Sequence, residues 1–329
     1  MEHHSIYHNE IPAVLKDCID TPCVQRLKNV GMNCGCEYTS FARFSGLLPY
    51  SRFDHSVGAA LIVWHFTRDE KQAVAGLLHD VATPVFAHVV DFLKGDYTKQ
   101  ESTEDGTRTI IETDTALQGA LHAHGLCTDD VSDYHRYPIA DNDSPRMSAD
   151  RLEYTLGNLI NYRIRKMYEV KAFYADLSVG TNEDGAPELA FSDAKIAEDF
   201  AFASLACSKI YVSDEDRYAM QMLSELLRDA IALDVLSETD LNSTEPQVIA
   251  KLNADERTAA AWQRFRAYRS MRRADAPEDG GQWRRIPAKK RYIDPLIEGI
   301  GRVSAYSEAF AAAVKTFLSD PQTDWIAGE

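Results

Sequence analysis

Two histidines and an aspartate lie at the borders of the most apolar segments of this chain. His55 precedes the stretch SVGAALIVWHF, and His79 and Asp80 end the stretch AVAGLLHD. Imidazole and carboxylate groups are costly to bury unless they are hydrogen-bonded, ion-paired or bound to a metal ion. A further carboxylate, Asp150, stands at the start of ADRLEYTLGNLI. The pattern favours a fold in which separate segments bring polar groups together in one crowded cleft.

Apolar residues recur at helical spacing along most of the sequence. We expect one helix at 56–67 with Ser56 as N-cap, one at 69–81 opened by Asp69, and one begun by Pro84 that Gly95 ends. Other helical patterns span several further ranges: 10–31 (with Pro22 in a first turn), about 101–123, 147–166, 194–234, 245–271 and 303–318. The chain is therefore predicted to be all-α.

The helical pattern is interrupted in a few places. Residues 168–192 show strand-like alternation around TNEDGAP, which predicts a β-hairpin, and 127–147 is rich in loop-forming residues. Residues 284–296 (RRIPAKKRYIDPL) are interpreted as an extended basic edge segment. We expect a helical core at 1–235 that contains the hairpin, and a mainly helical C-terminal extension at 236–329 that packs on it.

The charge and the cysteines exclude several classes of protein. The formal net charge is −16, so binding to nucleic acid regardless of sequence is not expected, although a local group of Arg and Lys or a metal ion can still hold a small anion. Six cysteines are irregularly spaced, and Cys34-Gly-Cys36 does not have zinc-ribbon spacing. Reduced thiols, together with no apolar leader or membrane-length segment, predict a cytoplasmic protein.

His55, His79, Asp80 and Asp150 are the candidate metal ligands. Mixed imidazole and carboxylate ligands suit Mn, Fe, Co, Ni, Zn or Mg, and helical cores hold such sites with inward-pointing side chains. A lone histidine in an apolar helix is more often a hydrogen-bonded core residue. Spacing alone leaves both interpretations open, because no short signature such as HExxH is present.

Four stretches together carry a resemblance to a known family: RFDHSVG, LLHD with its histidine 24 residues after that of the first stretch, ADRLEY, and IDTPCVQRL. They resemble the HD-domain metal-dependent phosphohydrolases, and most closely the deoxynucleoside triphosphate triphosphohydrolase branch. The resemblance covers roughly residues 10–235 and extends in part to 284–297. It implies an HD-domain helical core, a divalent metal ion bound by the four candidate ligands, and a homo-oligomer.

The same resemblance assigns roles to other residues. His88 would donate a proton to the leaving oxygen or bind phosphate, and Arg52 would hold a phosphate oxygen. Arg151 and Tyr154 would contact the phosphate and sugar of the substrate. The implied reaction is hydrolysis of a small phosphate ester, nucleotide-like in character, by water that the metal ion activates.

The sequence departs from the family around the metal motif. The middle histidine of the family's second motif is Thr83 here, and a later family histidine is Gln100. These changes predict weak or absent triphosphohydrolase activity on deoxynucleoside triphosphates. Three hypotheses follow: a phosphohydrolase of another phosphate ester, a catalytically weak HD module that binds a nucleotide and regulates a partner, and a deoxynucleoside triphosphate triphosphohydrolase.

Overall fold

The computed structural model describes residues 4–8, 10–93, 95, 106–322 and 324–329, and most of them are helical. This confirms the predicted all-α class with a small β insertion. The helices in chain order are α1 (His4–Tyr7), α2 (Ala13–Ile19), α3 (Pro22–Arg26), α4 (Arg52–Thr67), α5 (Glu70–Leu78), α6 (Val89–Leu93), α7 (Thr107–Thr113), α8 (Thr115–Ala123), α9 (Thr128–Val131), α10 (Ala149–Asn161), α11 (Met167–Ala175), α12 (Ala194–Ile210), α13 (Asp214–Ala232), α14 (Glu245–Ala254), α15 (Glu256–Ala267), α16 (Val303–Tyr306) and α17 (Glu308–Ser319).

Short strands form two small sheets. They are β1 (Leu177–Thr181), β2 (Pro187–Phe191), β3 (Met271–Ala274), β4 (Leu296–Ile297), β5 (Gly301–Arg302) and β6 (Trp325–Gly328). The first sheet has the order β1-β2-β4-β5, and the second pairs β3 with β6. Within the first sheet β1 and β2 form an antiparallel hairpin, while β4 runs parallel to β2. The C-terminal extension therefore adds strands to the hairpin of the core.

Helices α4, α5 and α10 form the centre of the core. Helix α4 packs along α5 on one side and against α10 on the other. Most residues of α4 from His55 to Val63 are buried, which matches its nearly continuous apolar sequence. The candidate metal ligands lie on these helices or directly after them, so the packing of the core sets their relative positions.

Helix α4 begins four residues earlier than predicted, so the expectation of Ser56 as its N-cap is wrong. Ser51 is the N-cap, and its hydroxyl accepts from the backbone N–H of Asp54 while the Asp54 carboxylate accepts from the N–H of Ser51. This reciprocal capping box satisfies the backbone donors at that end. Ser56 instead lies inside the helix and is fully buried. The predicted N-cap at Asp69 and the predicted first-turn position of Pro22 are confirmed.

Other boundaries also differ from the sequence-based prediction. The helix predicted to begin at Pro84 starts only at Val89, because Phe86 and Ala87 have φ values of 57° and 47°, which no right-handed helix accommodates. The helical range predicted for 101–123 is divided at Asp114, which caps α8, and its first residues lie outside the described part of the chain. The hairpin is shorter than 168–192, since residues 167–175 form α11.

The C-terminal extension is joined to the core by polar contacts that are partly or fully buried. The Glu245 carboxylate accepts hydrogen bonds from the backbone N–H of Gly31 (2.8 Å), the backbone N–H of Phe86 (3.3 Å) and the Tyr38 hydroxyl (2.7 Å). From the core, the Arg26 guanidinium donates to the carbonyl oxygens of Ser243, Val81 and Thr83. These contacts hold the loop after Asp80 in place.

Among the described residues, we find no helix whose length and apolar character would allow it to cross a membrane.

Candidate metal centre

His55 lies in the first turn of α4 and is 1% exposed. Its Nδ1 lies 2.7 Å from Oε2 of Glu153, a fully buried residue of α10. The two helices can approach this closely because residue 58 is glycine: a Cβ at that position would lie 2.5 Å from the Glu153 carboxylate. Gly58 of the RFDHSVG stretch therefore makes room for the carboxylate that orients the histidine beside it.

His79 and Asp80 lie at the C-terminal end of α5, where the helix gives way to a turn. His79 Nδ1 lies 2.7 Å from the Gly76 carbonyl oxygen, to which only a protonated nitrogen can donate. The Asp80 carboxylate accepts from Arg52 Nη1 at 2.9 Å and from the Thr83 hydroxyl at 2.8 Å. Both side chains are thus held in place by neighbours that do not occupy the space between them.

Asp150 enters the site from the first turn of α10, which Ser148 caps. Its Oδ1 lies 3.1 Å from His55 Nε2 and 3.7 Å from His79 Nε2. Asp80 Oδ2 lies 3.8 Å from His55 Nε2 and 3.6 Å from His79 Nε2. The structure therefore brings together the four ligands predicted from the sequence.

The nitrogens of the two imidazoles show that this cluster fits a cation. His55 Nε2 and His79 Nε2 lie only 3.2 Å apart. Because each ring directs Nδ1 to an oxygen acceptor, Nδ1 keeps its proton and Nε2 is the nitrogen that can bind a metal ion, which would displace the proton that Nε2 of His55 shares with Asp150 in the metal-free chain. The two Nε2 atoms with two carboxylates beside them form a donor set suited to a divalent ion. Ligand atoms of His55, His79 and Asp80 all lie within 4.8 Å of one another.

The charges of the site perturb its titratable groups. Burial lowers the pKa of His55, but hydrogen bonds with Asp150 and Glu153 outweigh it and raise that pKa to about 10. Burial alone would raise the pKa of Asp80, yet Arg52 and the two histidines hold it well below its usual range. The pKa of Asp150 is likewise shifted downward by His55 and His79 against the effect of burial. The carboxylates are thus ionised and available as ligands at neutral pH.

Thr83 stands where the family has its middle histidine, and it does not face the cavity. The side chain is fully buried and donates to Asp80 Oδ1. A proton donor for a substrate is therefore replaced by a residue that orients a candidate ligand. Gln100, the other predicted departure, lies outside the described residues.

His88 reaches the cavity beside the cluster. Its Nδ1 lies 2.9 Å from Oδ2 of the fully buried Asp91. Burial lowers the pKa of His88 more than Asp91 raises it, so the ring is neutral at pH 7. This position is compatible with the predicted role of His88 in proton transfer, which stays a prediction.

Arg151 and Tyr154 are the remaining predicted substrate-binding residues. They differ in how far their polar groups are already bonded to other residues of the chain. Both line the cavity. The Arg151 guanidinium pairs with Asp141 at 3.0 Å and also donates to oxygens of Asn142 and Arg146, so all three of its nitrogens are engaged. The Tyr154 ring lies 6.3 Å from that of His55, between centroids. A phosphate contact by Arg151 stays a prediction, and the residue now holds the 141–146 loop against α10.

A cavity of about 740 Å³ opens over the metal ligands. Aromatic rings follow one wall: the centroid of Tyr211 lies 6.1 Å from that of Tyr154 and 6.3 Å from that of Tyr162. The buried carboxyl of Asp216 and the basic segment 288–291 also line the cavity. The space is much larger than one phosphate requires and falls within the usual range for small-molecule sites.

Sequence reasoning missed three residues of this site: Glu153, Asp216 and Arg291. A signal for Glu153 was present, because it follows Asp150 by three positions and so shares its helix face. Arg291 lies in the 284–297 segment, for which the resemblance gave no residue a role, and Asp216 carried no signal of its own; the tertiary fold brings both to the cavity.

Comparisons with known proteins give distant relatives, and no family model matches the chain. Over 252 residues it is 26% identical to "Uncharacterized protein YdhJ" of Bacillus subtilis, covering 75% of this chain and 73% of that protein. Over 301 residues it is 26% identical to "Metal-dependent phosphohydrolase cns2" of Cordyceps militaris, covering 88% of this chain and 82% of that protein.

The fold is shared with a solved structure. A crystal structure of a hypothetical protein from Aquifex aeolicus superposes with a TM-score of 0.68 at 15% identity, over 97% of this chain and 92% of that one. At this identity the likeness concerns the fold alone. The relationship to cns2, together with the histidine–aspartate cluster, supports the resemblance to metal-dependent phosphohydrolases of the HD-domain superfamily, while the triphosphohydrolase branch stays a prediction.

Proposed function

We propose that this protein is a metal-dependent phosphohydrolase that cleaves a phosphate ester with a nucleotide-like alcohol part. The convergence of His55 Nε2, His79 Nε2, Asp80 and Asp150 at one end of a large cavity is the observation that carries the proposal. The relative named a metal-dependent phosphohydrolase, similar over 88% of this chain, supports the same reaction class.

The donor set would hold a divalent ion through His55, His79, Asp80 and Asp150. Such an ion, when bound, supplies a Lewis acid for a phosphate oxygen and makes water a better nucleophile at neutral pH. Glu153 and the Gly76 carbonyl keep both imidazoles in the tautomer that can act as a ligand. The protein's own contribution is thus a rigid, pre-oriented set of ligands.

Charge compensation and proton transfer fall to neighbouring residues. Arg52 is 8% exposed, lines the cavity, and has a buried Nε without a hydrogen-bond partner among the described residues. The positive charge of Arg52, held beside the candidate ligands by Asp80, would offset part of the negative charge of the substrate phosphate. His88, neutral and hydrogen-bonded to Asp91 through Nδ1, has a lone pair on Nε2 that would accept a proton from the attacking water and then return it to the leaving oxygen.

A nucleotide-like alcohol part fits the shape and lining of the cavity. The series Tyr154, Tyr211 and Tyr162 offers ring faces to a planar group. Asn158 Nδ2 donates to the Tyr211 hydroxyl at 2.9 Å and so helps to fix the position of that ring in the cavity wall. Hydrolysis of a deoxynucleoside triphosphate to triphosphate is less well supported, because Thr83 is buried against Asp80 rather than facing a substrate.

The test combines metal content with product analysis. The full chain, loaded in turn with Mn²⁺, Co²⁺, Ni²⁺, Zn²⁺, Fe²⁺ and Mg²⁺, is assayed against nucleoside mono-, di- and triphosphates and p-nitrophenyl phosphate. We expect inorganic phosphate release that depends on the bound metal and is lost in His79→Ala. Release of triphosphate would instead establish the triphosphohydrolase. Tight metal and nucleotide binding without turnover would establish the regulatory module.

A further inference from the structure

Residues 286–294 of the C-terminal extension form a segment, called the strap below, that reaches the cavity. Hydrogen bonds at three of its residues hold it to the rest of the chain. The Ile286 carbonyl accepts from the buried Arg217 guanidinium. Lys290 Nζ donates to the carbonyl oxygens of Phe317 (2.8 Å) and Leu318 (3.1 Å) at the end of α17. The Asp294 N–H donates to the Pro145 carbonyl at 2.8 Å. Between these anchors, residues 288–291 line the cavity.

Arg291 is a cation of the strap that lines the cavity together with the candidate ligands. Its charge is close enough to His88 and to Tyr154 to affect the pKa of both groups. Within the described chain, its guanidinium has neither a hydrogen bond nor an ion pair. A half-buried cation without a partner is unusual in a protein whose net charge is −16.

The neighbouring cations are already engaged. Arg52 is paired with Asp80, and the nitrogens of Arg151 are used by the 141–146 loop. Arg217 is bound to Asp214 and to backbone carbonyls, and Lys290 to the end of α17. All N–H groups of the Arg291 guanidinium are therefore available to donate hydrogen bonds to a phosphate group.

We propose that Arg291 is a substrate-binding residue that holds the phosphate group of the ester at the metal centre. The inference rests on the proposed function and extends it, since it assigns part of the phosphate site to the C-terminal extension. The ligand class is a phosphate monoester dianion, whose charge the metal ion and Arg52 would only partly offset. Two hydrogen bonds from a guanidinium to phosphate oxygens would complete the site.

The primary test measures binding of inorganic phosphate to the metal-loaded full chain by calorimetry. Arg291→Gln removes the charge, and Arg291→Lys keeps it without the fork. Arg285→Gln is the matched control, because Arg285 belongs to the same basic run but is exposed and outside the cavity. We expect Arg291→Gln to weaken binding by about 10–100-fold, the usual value of a charge-assisted contact, and Arg291→Lys to recover part of it. Metal content and melting temperature should be unchanged.

Two results would overturn the inference. One is phosphate binding by Arg291→Gln that equals wild type; the other is an equal loss in Arg285→Gln, which would show a general effect of surface charge. Failure of the proposed function is seen separately, as absence of phosphate release from every ester by the wild-type chain. With an active substrate, Arg291→Gln should raise KM more than it lowers kcat, whereas a purely structural role would reduce metal content or melting temperature instead.

Discussion

Replacing Glu153 by glutamine tests whether the carboxylate behind His55 sets the metal affinity. Glu153 is fully buried, and its Oε2 accepts from His55 Nδ1 at 2.7 Å and from the Tyr50 hydroxyl at 2.6 Å. Glutamine fills the same volume but removes the charge. Its amide can also turn its NH2 group toward Nδ1, which would favour the tautomer whose Nε2 carries a proton and cannot bind a metal.

The size of the effect follows from the kind of hydrogen bond that is weakened. A hydrogen bond to a charged group contributes about 1.5–3 kcal/mol and a neutral one about 1 kcal/mol, so the substitution should cost about 0.5–2 kcal/mol of metal binding. Since about 1.4 kcal/mol is a factor of ten, the Kd for Mn²⁺ should rise about 2- to 30-fold. Substitutions behind metal-ligating histidines usually cost about 10–100-fold, so the upper part of the expected range overlaps the usual effect.

The assay is competition between the protein and a chelator of known affinity, with thermal unfolding to confirm the fold. Tyr7→Phe is the matched control, because the Tyr7 hydroxyl donates to the other oxygen, Oε1, at a longer 3.4 Å and does not contact His55. We expect a much smaller change in Kd there. A folded Glu153→Gln chain with wild-type affinity for every metal tested would refute the reasoning that this carboxylate orients the ligand.

Three further changes test other parts of the site. His79→Ala removes a candidate ligand and should weaken metal binding by more than about 100-fold, which exceeds the usual effect of replacing a residue that only hydrogen-bonds a ligand. Elemental analysis after dialysis measures the bound metal, and metal retained by this variant would contradict the assignment of His79 as a ligand. Thr83→Val removes the hydrogen bond to the ionised Asp80, worth about 1.5–3 kcal/mol, and should raise the metal Kd about 10-fold or more, while Thr83→Ser should not. Burial raises the pKa of Asp216 from 3.8 to about 8, only partly opposed by the Cys36 thiol, so its stabilising contribution is full below the unfolded pKa and is lost progressively as the pH rises from about 4 through 8. The free energy of unfolding in urea, compared at about pH 5 and about pH 9, should shift in favour of Asp216→Asn at the higher pH by about 4 kcal/mol, since each pH unit up to the folded pKa is worth about 1.4 kcal/mol, and a pH-independent difference would count against a protonated Asp216.

The helical class and the cluster of candidate metal ligands could be predicted because their signals are local. Helical periodicity is a property of neighbouring residues, and His55, His79 and Asp80 are conspicuous where burial alone would favour apolar groups. Asp150 stood out at the start of a predicted helix, and the structure places it beside the others. The predicted nucleotide substrate remains a proposal, since the cavity lining is assembled from distant segments.

Boundaries were harder to predict, because they depend on particular backbone conformations. The sequence PVFAH suggests a helix begun by proline, yet Phe86 and Ala87 adopt left-handed backbone angles. Part of the reason lies far along the chain: the Phe86 N–H donates to Glu245, 159 residues later. The basic run that contains Arg291 was interpreted as an edge segment for the same reason, since nothing local shows that it lines a cavity.

The contacts of Glu245 and Arg26 bear on how the chain unfolds. Without residues beyond 242, the N–H groups of Gly31 and Phe86 would lose their shared acceptor, and the Arg26 guanidinium would lose the Ser243 carbonyl. A hydrogen bond of this kind contributes about 0.5–1.5 kcal/mol net, so several together are a sizeable share of the roughly 5–15 kcal/mol that stabilises a typical domain. We therefore expect the core and the extension to unfold as one cooperative unit. Amide hydrogens of Gly31 and Phe86 should exchange with solvent only at the rate of global unfolding.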